Sequence, residues 1–110
     1  MEYKSCIDAC RGCADECDRC LDSLSRAPNS TELLAAVRTV TDCSQFCRTT
    51  AGFLERGSRF VTAVCGLCAE ICDACVAGCG QSTVTQGQAC LDSCRECANE
   101  CRRVLAFQKA

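Results

Sequence analysis

Cysteine residues recur along the chain in steps of three and four, in groups separated by stretches without cysteine. Such steps place every cysteine of a group on one face of an amphipathic helix. Strand alternation, with its period of two, fits none of the groups. The groups are Cys6, Cys10, Cys13, Cys17 and Cys20; Cys43 and Cys47; Cys65, Cys68, Cys72, Cys75 and Cys79; and Cys90, Cys94, Cys97 and Cys101. We therefore expect four helices whose cysteine faces meet.

The first helix boundary lies around the single proline. Pro28 cannot continue a helix and restricts the residue before it, so helix one is expected to end near Arg26. Asn29, followed three residues later by Glu32, has the form of a capping box. Helix two is therefore expected to begin at about Ser30.

Glycines mark the next two boundaries. Gly57 supplies a left-handed stop after Arg56, where helix two is expected to end, and Ser58 can cap the helix that follows. Helix three is expected to end in the region from Gly78 to Gly80. Because turns of two or three residues join antiparallel neighbours, helices two and three should lie side by side.

A polar stretch at 81–86 separates the last two cysteine groups. Ser82 or Thr83 is a suitable cap for helix four, which is expected to run to about Phe107. The predicted fold class is therefore all-α, an antiparallel up-down-up-down four-helix bundle with a cysteine-lined core. Residues 1–110 are expected to form a single domain, since the chain is long enough for one modest core.

Helix two differs from the other helices, because aliphatic residues and threonine extend its core face around only two cysteines. Matching the helices at their turns predicts five layers across the bundle. The layers are Cys20, Cys79 and Cys90; Cys17, Val40, Cys75 and Cys94; Cys13, Cys43, Cys72 and Cys97; Cys10, Cys47, Cys68 and Cys101; and Cys6, Thr50, Cys65 and Val104. The thiols thus form a column, with Tyr3, Leu54, Val61 and Val104 closing the end opposite Cys20.

Charge and composition exclude several functions. The chain carries 12 basic and 14 acidic side chains without a block of one sign, so neither nucleic acid nor a membrane is an expected partner. Histidine is absent, which removes Cys-His nucleophile pairs, imidazole bases and Cys₂His₂ zinc sites. We therefore expect no enzyme activity.

The N-terminal sequence and the cysteine content indicate a compartment. No export signal is visible, and the apolar stretches fall short of the ~20 residues that a transmembrane helix needs. The expected localisation is cytoplasmic, where thiols stay reduced. With 16 cysteines in 110 residues, the chain is far above the ~8–10% typical of cysteine-determined scaffolds.

Three roles are considered for the column of thiols: a hydrophobic core, a set of disulfides and a metal site. A core of cysteine alone would be underfilled, and underfilled cores lose stability through their cavities. Cβ atoms at i and i+4 of a helix lie ~5–6 Å apart, whereas a disulfide needs ~3.5–4.5 Å, so only cross-helix disulfides remain. Bound metal fits best, since two thiolates in line on one ion lie ~4.5 Å apart at bonds of roughly 2.3 Å.

The choice of metal follows from ligand type and spacing. Soft thiolates select Cu(I), zinc or iron–sulfur clusters. Zinc needs only one closed set of four ligands, and the C-x₂-C-x₂-C run of ferredoxins is absent. Cu(I) accepts low coordination numbers, and charge balance favours ~8–16 ions per chain. All sixteen cysteines are candidate ligands, and seven Cys-x-x-x-Cys pairs occur at 6/10, 13/17, 43/47, 68/72, 75/79, 90/94 and 97/101.

Other apolar and charged positions are assigned structural roles, and neither set is expected to form a cofactor site. Core positions or subunit contacts are expected for Leu33, Leu34, Val37, Phe46, Phe53 and Phe60. A solvated charged face is expected for Arg48, Arg56, Arg95, Arg102 and Arg103.

Four segments of the chain resemble the cysteine-rich four-helix-bundle copper storage proteins. They are DCSQFC at 42–47, LERGS at 54–58, VCGLCAEICDAC at 64–75 and CLDSCRECANEC at 90–101. The resemblance covers nearly the whole chain and implies interior cysteines that hold many Cu(I) ions in a cytosolic homotetramer. The chain departs from the family at 80–86, which reads GQSTVTQ where histidines often lie near the opening of the bundle.

Reversible sequestration of Cu(I) in the cytosol is the leading hypothesis. Thiols would lose protons as the metal binds, and exchange with a copper chaperone or a low-molecular-weight thiol would return the ion. The end near Cys20, Cys79 and Cys90 is a candidate opening for the metal, against the alternative of a polar loop without that role. The competing functions are an iron–sulfur electron-transfer module and a bundle stapled by zinc or disulfides.

Overall fold

A computed structural model of the chain describes residues 3–80 and 87–109. Its four helices are α1 (Lys4–Leu24), α2 (Thr31–Glu55), α3 (Val61–Gly80) and α4 (Gln88–Lys109). These bounds confirm the predicted ends of α1, α2 and α3 and the C-terminal end of α4 to within about two residues. Helix α4 begins at Gln88, later than a cap at Ser82 or Thr83 predicts. The expected cap at Ser82 or Thr83 and the polar stretch 81–86 lie outside the described residues.

The N-terminus of α2 differs by one residue from the prediction. Ser30, and not Asn29, is the cap: its backbone is extended, and its hydroxyl accepts a hydrogen bond of 2.9 Å from the Leu33 amide. Serine and asparagine are about equally good N-cap residues, so the sequence alone does not decide between Asn29 and Ser30. The helix therefore begins at Thr31.

The turn between α2 and α3 follows the prediction at Gly57. This residue has a φ of 62°, in the left-handed region, and the Ser58 amide reaches back to the Phe53 carbonyl at 3.0 Å. Such an arrangement satisfies carbonyls that the end of a helix leaves unpaired. The Ser58 hydroxyl then accepts from the Phe60 amide at 3.0 Å, just before α3 begins at Val61.

Along two neighbouring helices, the contacting residues occur in opposite order, which means that the neighbours are antiparallel. On α1 and α4, Cys6 lies 3.8 Å from Cys101 and Cys17 lies 3.7 Å from Cys90 (sulfur to sulfur). On α2 and α3, the sulfur pairs are Cys43 with Cys72 and Cys47 with Cys68. On α1 and α2, Arg11 pairs with Glu55 while Asp18 contacts Ser44. The bundle is a rod of 47 × 20 × 19 Å.

The ends of the core are closed by larger side chains. Leu54, Val61 and Val104 are buried at the end where α1 begins, as predicted, and Tyr3 packs against them half-buried. The aliphatic and threonine face of α2 is also confirmed as core, since its predicted members are buried: Leu33, Ala36, Val40, Thr50 and Leu54.

Helix α3 corrects one expectation about membranes. Val61–Cys79, with 19 residues and a mean hydropathy of 1.6, is long and apolar enough to cross a membrane on length and composition alone. The expectation that the apolar stretches are too short is therefore wrong. One such helix is weak evidence for a span, because core helices of bundles share this composition, and every cysteine of α3 is buried in the core.

Two further sets of residues can be compared with their predicted roles. Leu34 and Phe60 are 51% and 49% exposed, so they do not lie in the core of the single chain, and the subunit contact expected as the alternative stays a prediction. Arg48 and Arg102 lie on the solvated face as expected, and they reach across to acidic residues of a neighbouring helix. Arg95 and Arg103 pair within α4, as the solvated face requires.

Candidate metal centre

All sixteen cysteines lie inside the bundle as free thiols. Their exposed fractions run from 0% to 9%, and Cys20, near one end, is the most exposed of them. The spacing of three and four residues produces this result directly, because it turns every thiol of a helix toward the same axis. The disulfide alternative finds no pair in the structure, where each cysteine is unbridged.

The sulfur atoms touch one another across the helix interfaces. The shortest separations are 3.6 Å, between Cys13 and Cys94 and between Cys10 and Cys97. Further contacts of 3.8 Å join Cys43 to Cys13 and to Cys72. Four helices therefore contribute to one continuous column of sulfur.

Several sets of sulfurs are close enough to share a metal ion or a small cluster. In each set all sulfurs lie within 4.8 Å of one another. Neighbouring sets have members in common, so the column contains no isolated site. The sets are Cys6, Cys65 and Cys101; Cys10, Cys68, Cys97 and Cys101; Cys13, Cys47, Cys72 and Cys97; Cys13, Cys17, Cys43 and Cys94; and Cys17, Cys75, Cys90 and Cys94.

These sets are staggered, which corrects the flat layers predicted from loop lengths. Cys6 meets Cys65 and Cys101, whereas the flat layer placed it with Val104. Cys97 likewise belongs to two sets, one with Cys10 and one with Cys13. Helix α4 therefore lies a fraction of a turn away from the predicted register. The column survives this shift, because the cysteines of α4 repeat at helical spacing.

Pairs within one helix are also close. The Cys43 and Cys47 sulfurs, and those of Cys75 and Cys79, lie 4.0 Å apart. These two are among the predicted Cys-x-x-x-Cys pairs. The i,i+4 spacing therefore allows two thiolates of one helix to contact the same ion.

Hydrogen bonds between thiols shift their acidity. Hydrogen bonding with the thiols of Cys17 and Cys20 lowers the pKa of Cys90 to about 4. The same contact with Cys90, together with burial, raises the pKa of Cys20 above its usual value. Contact with Cys75 and burial raise the pKa of Cys79 in the same way. Neighbouring thiols thus differ in the ease with which a metal displaces their protons.

A polar cluster beside the column was not predicted from the sequence. The Ser44 hydroxyl, 4% exposed as a residue, donates to Asp18 at 2.6 Å and accepts from Arg48 at 2.8 Å. Arg48 also contacts Asp18 at 2.8 Å and Asp15 at 3.2 Å. The Ser44 hydroxyl and Arg48 hold the pKa of Asp18 below its usual value. Asp18, Ser44 and Arg48 each directly follow a core cysteine, so the cluster fixes where α1 and α2 place their sulfurs.

The donor set determines what the column can bind. Thiolates are soft ligands, and they select Cu(I), zinc or iron–sulfur clusters over hard cations. Sets of sulfurs that share members suit a metal ion that accepts two or three ligands and can share a thiolate with the next ion. The fold and the column together define a thiol-cored four-helix bundle of the metal-binding class.

The comparisons with known proteins identify the family. The profile of the Csp family, copper storage protein, matches residues 1–106. This chain belongs to the copper storage protein family. The family assignment favours copper over the iron–sulfur and zinc alternatives. No curated protein matches the chain.

Solved structures of the same architecture agree with this assignment. A structure described as Cu(I)-bound copper storage protein BsCsp3 is 30% identical, with a TM-score of 0.86 and coverage of 94% of this chain and 97% of its own. A protein from Nitrosospira multiformis is 36% identical, with a TM-score of 0.85 and coverage of 96% of both chains. A cytosolic copper storage protein from Streptomyces lividans, described with five coppers, is 31% identical, with a TM-score of 0.84 and coverage of 96% and 92%.

Proposed function

We propose that this chain stores Cu(I), holding many ions at once between its four helices through cysteine thiolates. The observation that carries the proposal is the column of sixteen buried free thiols, whose sulfurs form overlapping sets within 4.8 Å. Membership of the copper storage family supports the same conclusion. So do relatives described as Cu(I)-bound and as loaded with five coppers.

All sixteen cysteines are proposed as ligands. Fourteen of them belong to the overlapping sets, and the other two, Cys20 and Cys79, extend the column beyond Cys90 and Cys75. The chain contains no histidine, so cysteine sulfur is the soft ligand that the core offers to a metal. The column therefore works as one continuous store.

The sulfur separations support bridged clusters over isolated pairs. Two thiolates in line on one ion would lie ~4.5 Å apart, whereas three around one ion lie ~4.0 Å apart at bonds of roughly 2.3 Å. The separations across the helices, 3.6 Å for Cys13 with Cys94 and 3.8 Å for Cys6 with Cys101, are nearer to the second value. Bridging also brings the ratio of ions to thiolates toward one, which neutralises charge in the core.

The setting of the store is proposed from the same findings. A cytosolic relative and a core of free thiols support a cytoplasmic location. The chain would act as a single domain that binds and releases metal without catalysing a reaction. Ligand exchange with a copper chaperone or a low-molecular-weight thiol would move ions in and out, and four copies would assemble into a homotetramer.

Anaerobic titration with Cu(I) tests the storage function. We expect the reduced protein to bind ~8–16 equivalents and to release protons as thiols become thiolates. The measurement is competition against a coloured Cu(I) chelator, with proton release followed by a pH indicator in weak buffer. Saturation at one or two equivalents would contradict the proposal.

A further inference from the structure

The four helices form two pairs that are held together internally by charged side chains. In the first helix pair, α1 with α2, Arg48 contacts Asp15 and Asp18, and Arg11 contacts Glu55 at 2.5 Å. The buried Ser44 hydroxyl adds its hydrogen bond to Asp18. In the second helix pair, α3 with α4, Arg102 contacts Asp73.

The interface between the first helix pair and the second, called the seam below, is held together differently from the interface inside each pair. Within residues 3–80 and 87–109, no ion pair joins the first helix pair to the second. Gln108 donates to the Tyr3 hydroxyl at 2.5 Å, at the end of the bundle. The sulfur contacts, by contrast, run mainly across the seam, as for Cys10 with Cys97 and Cys47 with Cys72. The seam is thus held chiefly by thiol contacts and apolar packing.

An open groove of about 290 Å³ marks the seam between α1 and α4, and the fully buried Cys13 is among the residues that line it. Ala9 and Gly12 of α1 and Ser93 of α4 form its walls with small side chains. An added Cβ at Gly12 would meet no atom within 4 Å, so nothing covers this part of α1.

Among the described residues that line the groove, no ion pair joins its two walls. Asp8 lines it from α1 and pairs with Lys4 of the same helix, while Glu100 lines it from α4 and pairs with Arg103 of that helix. Glu96 of α4 also lines the groove. The paired charges therefore stabilise each helix and do not hold the two walls together. Thiol contacts are weak hydrogen bonds, and regions with few strong contacts open at the lowest free energy. The α1/α4 seam therefore combines weak contacts with a groove that reaches the buried Cys13.

We propose that Cu(I) reaches the column through transient opening of the α1/α4 seam at the groove over Cys13, and that bound Cu(I) then closes it. The proposal rests on the storage function. Cu(I) passes from the thiolates of a donor to cysteine thiolates of both helix pairs, and the displaced protons go to solvent while copper remains univalent. Each ion bound across the seam joins the two helix pairs through metal–sulfur bonds.

Two variants close the seam without touching a ligand. Glu96→Lys places a cation in the groove that Asp8 and Glu100 also line, and its matched control is Glu70→Lys, the same charge change on the exposed face of α3. Gly12→Leu fills the groove, and its control is Gly66→Leu, where an added Cβ also meets nothing within 4 Å. Uptake is measured by anaerobic stopped-flow mixing with the Cu(I)–bicinchoninate complex, whose colour fades as protein takes the ion.

We expect Glu96→Lys and Gly12→Leu each to slow uptake about fivefold relative to their controls, with the same final number of equivalents. Uptake as fast as in the controls would overturn the proposal and would direct attention to the end of the bundle near Cys20. A slower rate that comes only with a proportional loss of bound equivalents would also overturn it. Saturation of the unchanged protein at one or two equivalents would instead refute the storage function itself.

Discussion

Ser44 joins the charged surface of the bundle to its sulfur core. Its buried hydroxyl lies between Asp18 and Arg48, with hydrogen bonds of 2.6 and 2.8 Å. Its chain neighbour Cys43 contacts sulfurs on α1, α3 and α4. A single side chain therefore connects the pairing of α1 with α2 to the position of a central thiol.

Removing this hydroxyl should weaken the fold. We expect Ser44→Ala to lower the free energy of unfolding of the reduced, metal-free protein by about 1–2 kcal/mol, because hydrogen bonds to charged groups are lost in a buried place. Urea unfolding followed by circular dichroism measures this change. Ser93→Ala, at a half-buried serine beside Cys94, is the control and should stay within about 0.5 kcal/mol of the parent. Equal stabilities of the two variants would contradict the role assigned to Ser44.

The turn between α2 and α3 sets how these two helices face each other. Gly57 adopts a φ of 62°, which residues with a Cβ rarely accept. We expect Gly57→Ala to destabilise the protein by about 1 kcal/mol, again measured by urea unfolding. Gly78→Ala inside α3, where an added Cβ meets nothing within 4 Å, should instead be neutral or stabilising because alanine favours the helix. A neutral Gly57→Ala would show that the turn tolerates another conformation.

Sequence alone predicts the helices well, because each signal is local. The step of three and four fixes the buried face of every helix, and Gly57 marks a turn through its own backbone freedom. Register between helices depends on contacts far apart in the chain, and for this reason the pairing of Cys6 with Cys101 was not predicted. Ser44 was missed on the same ground, since a serine in a helical pattern carries no signal for an aspartate 26 residues away.

The whole molecule combines two helix pairs that are joined internally by ion pairs with a seam of thiol contacts between them. On the proposed storage function, contacts such as Cys13 with Cys94 and Cys43 with Cys72 would become metal bridges when Cu(I) replaces the protons. Stability in this bundle should therefore depend on its copper content, since the loaded form would gain cross-links between the helix pairs.

Copper loading should raise the melting temperature strongly. A ligand that binds only the folded state at 100 times its Kd adds ~2.7 kcal/mol per site, and each kcal/mol shifts the Tm of a domain of this size by roughly 4–8 °C. Several sites should thus raise the Tm by more than about 10 °C, as measured by anaerobic calorimetry at rising Cu(I) ratios. Removing the metal with a strong Cu(I) chelator should restore the original Tm, and Mg²⁺, a hard cation, should leave it unchanged. A Tm independent of copper content would mean that the ions do not bridge the helices of the folded bundle.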